Sequence, residues 1–229
     1  MNYETFKTNI AISKRELCRV IFREHADTIQ IKTEETVVRN LEKIFDATLK
    51  ISNRKGFQAM SMRDLSRETG LSLGALYSYF PSKDKLLAML QNQRRGVSRR
   101  ILEEQIAGAA TPWEKFKTTV RVHLYLSEAL QPWFYFSYME AKNLDPRQQR
   151  AAIESELFTD GLLADILEQG ALQGHWPERN HEISAGLIKA MLQDWYLKRG
   201  KHKRRRISVD QYAETVIAVM GAYYHVNTP

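Results

Sequence analysis

The stretch SMRDLSRETGLSLGALYSYFPSKDKLLAML, residues 61–90, constrains the fold more than any other part of this chain. Two short apolar segments flank Gly70, and each begins at a serine. Ser61, with Asp64 three residues on, has the pattern of a capping box, after which Met62, Leu65 and Thr69 share one helical face. Gly70 suits the left-handed backbone that ends a helix. Ser72 offers a second N-cap, and Leu73 to Tyr79 make a helix of less than three turns. Pro81-Ser82 breaks the chain and recaps it before Lys83. This spacing predicts a helix-turn-helix, whose second helix is the element that enters a DNA major groove.

The second helix is too small for a core helix and too aromatic for a solvated one. Gly74 and Ala75 leave its first turn almost bare, so backbone can approach a base edge or a phosphate. Tyr77 and Tyr79 carry hydroxyls one turn later, and Lys83 adds a charge at the next helix start. Hydroxyls, a lysine and a helix N-terminus are usual phosphate ligands. Leu76 and Phe80 are read as packing residues of the small domain.

Gly74, Leu76, Tyr77, Tyr79, Phe80, Lys83 and Leu86 form the pattern Gly-x-Leu-Tyr-x-Tyr-Phe-x-x-Lys-x-x-Leu. It resembles the DNA-binding signature of the TetR family of bacterial repressors, and the likeness runs from near Thr36 to Leu90. Tyr79 stands where many relatives carry histidine. The resemblance implies that Arg63, Leu73, Gly74 and Ala75 face bases. It implies that Ser61, Tyr77, Tyr79 and Lys83 hold phosphates; Ser72, at the helix start, joins the DNA-binding set. It also implies an all-α protein, with an N-terminal three-helix helix-turn-helix domain joined to a larger helical ligand-binding and dimerisation bundle. The expected partners are a double-stranded DNA operator, a second copy of the chain, and an apolar or amphipathic small-molecule effector.

The rest of the chain is helical by periodicity. Residues 34–53 place Val37, Val38, Leu41, Ile44, Phe45, Thr48 and Leu49 on one face, with Thr33 as a cap and Gly56 as a stop. Upstream, Ser13 and Glu16 form a capping-box pattern before an additional helix at about 14–25. That extension departs from the family pattern, and its mixed charge points to packing against the body or across a dimer. Further helices are expected from Lys83 to Ala107 and over 113–130, 146–173, 181–199 and 208–225, with 174–180 and 198–206 as loops. The domains expected are an extension over 1–30, a DNA-binding domain over 31–90 and a ligand-binding and dimerisation domain over 91–229.

Charge adds less than it first suggests. The chain carries net +7, but residues 198–206 (KRGKHKRRR) hold seven basic side chains and no acid, and the remainder is balanced at 27 basic and 27 acidic. DNA binding therefore rests on the motif, and the basic run reads as a solvated connection. The lone Cys18 excludes an internal disulfide, and no stretch approaches a membrane span. A soluble, cytoplasmic protein is expected.

Trp133 to Met139 packs five aromatics into seven residues. As core this needs no further explanation; as a pocket it would join Trp113, Phe116, His123, Trp133, Phe136, Tyr138 and Trp176 around an effector. Two terminal stripes, with Ile183, Leu187, Met191 and Trp195 on one and Tyr212, Val216 and Met220 on the other, could pair with their copies as a four-helix dimer. Catalysis has no support: Glu178-x-x-His181 is a single pair beside Pro177, whereas a di-iron bundle needs two, and no cofactor or metal is expected. A structural DNA-binding protein with the same headpiece and no ligand is the other reading.

Overall fold

A computed structural model describes residues 1–9, 14–24, 29, 31 and 33–226. Its α-helices are α1 (Tyr3–Asn9), α2 (Lys14–Glu24), α3 (Glu34–Lys55), α4 (Met62–Thr69), α5 (Leu73–Tyr77) and α6 (Lys83–Ala107). They continue as α7 (Pro112–Ala129), α8 (Gln131–Glu140), α9 (Pro146–Leu172), α10 (His181–Leu197), α11 (Arg199–Arg204) and α12 (Val209–Tyr223). No strand occurs among the described residues, so the fold is all-α as expected. Thr33 occupies the N-cap position of α3 without a side-chain cap bond, while the Gly56 N–H closes its C-terminus on Ser52 O. Ser13 and the Glu16 side chain, expected to cap the additional helix, lie outside the described residues; the helix itself is α2.

The chain forms two compact units. The headpiece unit comprises Ile10–Val97 and Pro132–Ala152. α3 is its spine, burying Val37, Val38, Leu41, Ile44 and Phe45 against α2 and α4. The aromatic segment of α8 completes the cover. Trp133 meets Phe45 edge-on at 5.6 Å, Phe136 meets Phe57 at 5.7 Å, and the Phe57 N–H donates to Glu140 Oε1 at 3.1 Å. Gln91 Nε2 donates to Ser137 O at 3.1 Å. Such ring pairs contribute roughly 0.5–1.5 kcal/mol each beyond the area they bury.

The body unit comprises Met1–Asn9, Ser98–Gln131 and Ile153–Pro229. α7 runs beside α10 and α12, and α1, which periodicity did not reveal, packs on α7. Phe6 is buried with its ring 5.3 Å from Tyr125. The Tyr125 hydroxyl donates to Asp210 Oδ1 at 2.5 Å, and the Tyr3 N–H reaches the same oxygen at 3.0 Å. Burial, the bond to Asp210 and that carboxylate's charge all raise the Tyr125 phenol far above its ordinary range. The basic run is not a loop but contains α11. Lys198, Lys201 and His202 surround Asp194, and Arg199 forks onto Glu128 with both bonds at 2.7 Å. His202 is buried, stacked 4.9 Å from Trp195.

Candidate nucleic-acid interface

α4 begins where its sequence directs. Ser61 Oγ accepts the Asp64 N–H at 3.1 Å, and Asp64 Oδ2 accepts the Ser61 N–H at 2.9 Å. The Ser61 hydroxyl also donates to Asp64 at 2.7 Å, while Lys55 and Arg67 both reach the carboxylate at 2.8 Å. The Lys55 ammonium, then the Ser61 bonds, hold Asp64 well below the usual carboxylate range. Gly70 closes α4 at φ +72°, a backbone that a Cβ would strain. Its N–H donates to Ser66 O at 2.9 Å.

α5 presents little but backbone and hydroxyls. Ser72 Oγ accepts the Ala75 N–H at 3.1 Å, which leaves its own hydrogen for a ligand. Gly74 is exposed, Leu73 and Ala75 are half-buried, and Tyr77 is 48% exposed. Leu76 and Phe80 are fully buried, as packing residues should be. On α4, Arg63 stands exposed and enters no ion pair among the described residues. Ser72, Gly74 and Tyr77 are thus exposed on an α5 that carries no acid, and Arg63 is exposed on the α4 that packs against it.

Three expected phosphate ligands are otherwise engaged. Tyr79 is fully buried and its hydroxyl accepts Asn40 Nδ2–H at 2.8 Å, so it is a bolt between α5 and α3. Burial raises its phenol, against smaller opposing effects of Asn40 and Arg39. Lys83 turns inward, donating to the carbonyls of Phe57, Gln58 and Met60 at 3.2, 2.9 and 3.2 Å. It caps the bend between α3 and α4, where Phe57 O also accepts the Met60 N–H at 3.0 Å. The Ser61 hydroxyl is spent inside its own capping box. Sequence could not separate these roles, because an outward and an inward hydroxyl or lysine read alike.

Residues 44–90 match the family model described as bacterial regulatory proteins, tetR family. Over these residues the headpiece is that of the TetR family. The match agrees with the Fatty acid metabolism regulator protein of Bacillus subtilis (strain 168), 23% identical over 164 residues, which span 69% of this chain and 84% of that one. The HTH-type transcriptional repressor KstR of Mycolicibacterium smegmatis (strain ATCC 700084 / mc(2)155) is 30% identical over 104 residues, 42% of this chain and 50% of its own. Among solved structures, AibR in complex with isovaleryl coenzyme A and operator DNA shares the fold. Its TM-score is 0.70 at 16% identity, covering 82% of this chain and 100% of that one. The TetR-family relatives are transcriptional regulators, not enzymes.

The seven aromatic and histidine side chains expected to line one effector pocket are divided between the two units. Trp133 and Phe136 are headpiece core, and Tyr138 is 47% exposed. In the body unit Trp113 stacks on Phe116 at 5.0 Å and meets Trp176 at 6.2 Å, and His123 is buried. Trp176 donates Nε1–H to Leu167 O at 2.8 Å and fills the space left by Gly170, where a Cβ would fall 1.8 Å from a ring carbon. Trp113, Phe116 and Trp176 therefore pack on one another in the body unit.

The terminal stripes are divided as well. Trp195 and Val216 are buried within the chain, the former donating Nε1–H to Glu128 Oε2 at 3.0 Å, which corrects their place in an intersubunit face. Ile183 and Leu187 are each 62% exposed. Leu187, Met191, Tyr212 and Met220 instead line an apolar groove of about 590 Å³ on α10 and α12, joined by Val219 and Tyr223. Val219 went unnoticed in the sequence because it lies beside the stripe, not on it.

Proposed function

We propose that this regulator is a repressor that binds a palindromic operator as a homodimer and releases it when a mainly apolar or amphipathic small molecule binds. The observation that carries the reading is the bare, acid-free surface of α5, with Tyr77 exposed on it and Arg63 exposed on the neighbouring α4. Arg63, Leu73, Gly74 and Ala75 face bases in this reading, while Ser72 and Tyr77 hold phosphates. The occupant of the α10 and α12 groove is a second copy of the chain, because Leu187, Val219 and Tyr223 line it while remaining exposed, with exposed Ile183 one turn before Leu187 on α10. A palindrome read by two recognition helices has its half-sites about 34 Å apart on one side of the duplex.

The effector's class follows by analogy from AibR, whose complex contains an acyl-coenzyme A thioester. An acyl chain attached to an anionic nucleotide is amphipathic, and a ligand releases DNA only by its difference in affinity between the two states of the regulator. Selection from random duplexes, followed by sedimentation of the enriched complex, tests the reading. The expected result is one palindrome bound by two chains, with Arg63→Ala costing roughly 1–3 kcal/mol at particular base pairs. A monomer without sequence preference would refute it.

A further inference from the structure

The headpiece unit contains a pocket of about 560 Å³, lined by residues from the end of the recognition element, the first turns of α6 and the start of α9. That volume lies within the usual range for small-molecule sites. One wall is apolar, with Phe80, Ala88 and Met89 all buried. The other is cationic: Lys85, Arg95 and Arg147 face it, against the single acid Asp145. Asp145 Oδ1 is committed to the start of α9, where it accepts the Gln148 N–H at 2.9 Å. Arg95 is steadied by donating Nη2–H to Asn92 Oδ1. Lys85 and Arg147 are exposed and enter no ion pair among the described residues.

An apolar wall opposite two uncommitted cations is poorly matched by water and poorly matched by a neutral hydrocarbon. We infer that the pocket receives an amphipathic anion, its alkyl or aryl body against Phe80 and Met89 and its carboxylate or phosphate between Lys85 and Arg147. Apolar area removed from water supplies the affinity. Charge-assisted bonds to lysine and arginine select the anionic head, with arginine able to grip it bidentately. The site also has a route to DNA. Tyr79 and Phe80 line it and follow α5 directly, and Tyr79 is bolted to Asn40 of α3 at 2.8 Å. A ligand that shifts this floor shifts the recognition helix.

Its consequence for DNA rests on the proposed regulatory function, whereas occupancy itself does not, so the two are measured apart. Full-length protein without DNA is titrated calorimetrically with dodecanoate, dodecyl phosphate, dodecanol and inorganic phosphate, each below its aggregation limit. Both amphipathic anions are expected to bind at least about tenfold more tightly than dodecanol, a gap of about 1.4 kcal/mol, and inorganic phosphate not measurably. The difference between the two anions tells a carboxylate site from a phosphate site. Lys85→Gln and Arg147→Gln should each weaken the anions several-fold without moving the melting temperature. Ala151→Trp, at the half-exposed side of the pocket, should block it. Dodecanol binding as well as the anions, or anion binding unchanged in all three variants, would overturn the assignment. Anion binding lost in those variants, with operator affinity indifferent to the ligand, would uphold the site and refute only the release step.

Discussion

Lys83 and Phe57 are joined twice: the ammonium donates to the Phe57 carbonyl at 3.2 Å and lies 5.1 Å from the centre of the Phe57 ring. With Gln58 O and Met60 O it closes the bend that orients α4 against α3. Lys83→Ala should therefore cost about 1–3 kcal/mol of stability, because carbonyls that had a charged donor lose it. The salt dependence of operator binding should stay as it is. Denaturant melts and binding at three salt concentrations check this; a slope lowered by about one would restore the phosphate role.

The two tyrosines of the signature should part company. Tyr77→Phe removes an exposed hydroxyl and should weaken binding to all duplexes without changing stability. Tyr79→Phe leaves Asn40 Nδ2 without its acceptor and should cost about 1 kcal/mol in stability, with operator affinity near that of the parent when both are fully folded. Equal losses of affinity in the two variants would contradict this division.

Leu187→Glu places a charge in the middle of the α10 and α12 groove, at a side chain 62% exposed within one chain. The variant should stay folded but sediment as a monomer, since the proposed intersubunit face is spoiled, and its melting temperature should fall only by what dimerisation contributed. Sedimentation at micromolar concentration reads the outcome, and a persistent dimer would move the interface elsewhere.

Gly170→Ala should destabilise the body unit by roughly 1–3 kcal/mol, because the new methyl overlaps the Trp176 ring and forces it from its place. Tryptophan emission should shift with it, as the Trp176 bond to Leu167 O is disturbed. An unchanged melt and spectrum would show that α9 and the ring yield without cost.

Acid should loosen the α10–α11 corner. Burial alone would raise Asp194, but the bonds from Lys198, Lys201 and His202 outweigh it and hold the carboxyl well below its ordinary range. A depressed folded-state value means stability that is present above about pH 4, the unfolded value, and shrinks as the pH falls below it. Asp194→Asn should therefore cost most at neutral pH, and its gap from the parent should narrow below about pH 4. Urea midpoints at pH 7, 5 and 3 decide it, and a gap of constant size would show that the ionised carboxylate is not the source.

What the sequence determined by itself was local. Serine caps, Gly70 and three-four apolar spacing mark α3 through α6 and α12, because each such signal acts within a turn or two of its own residue. The tertiary structure decided every question that depends on a distant partner. It sent Trp133 and Phe136 to Phe45 and Phe57, turned Tyr79 toward Asn40 and Lys83 toward three carbonyls, and gathered Lys198, Lys201 and His202 around Asp194. It also brought Lys85 and Arg147, far apart in the chain, to one pocket. Periodicity gives the face on which a side chain lies; whether that face meets a neighbour, a ligand or water is fixed by packing across the chain.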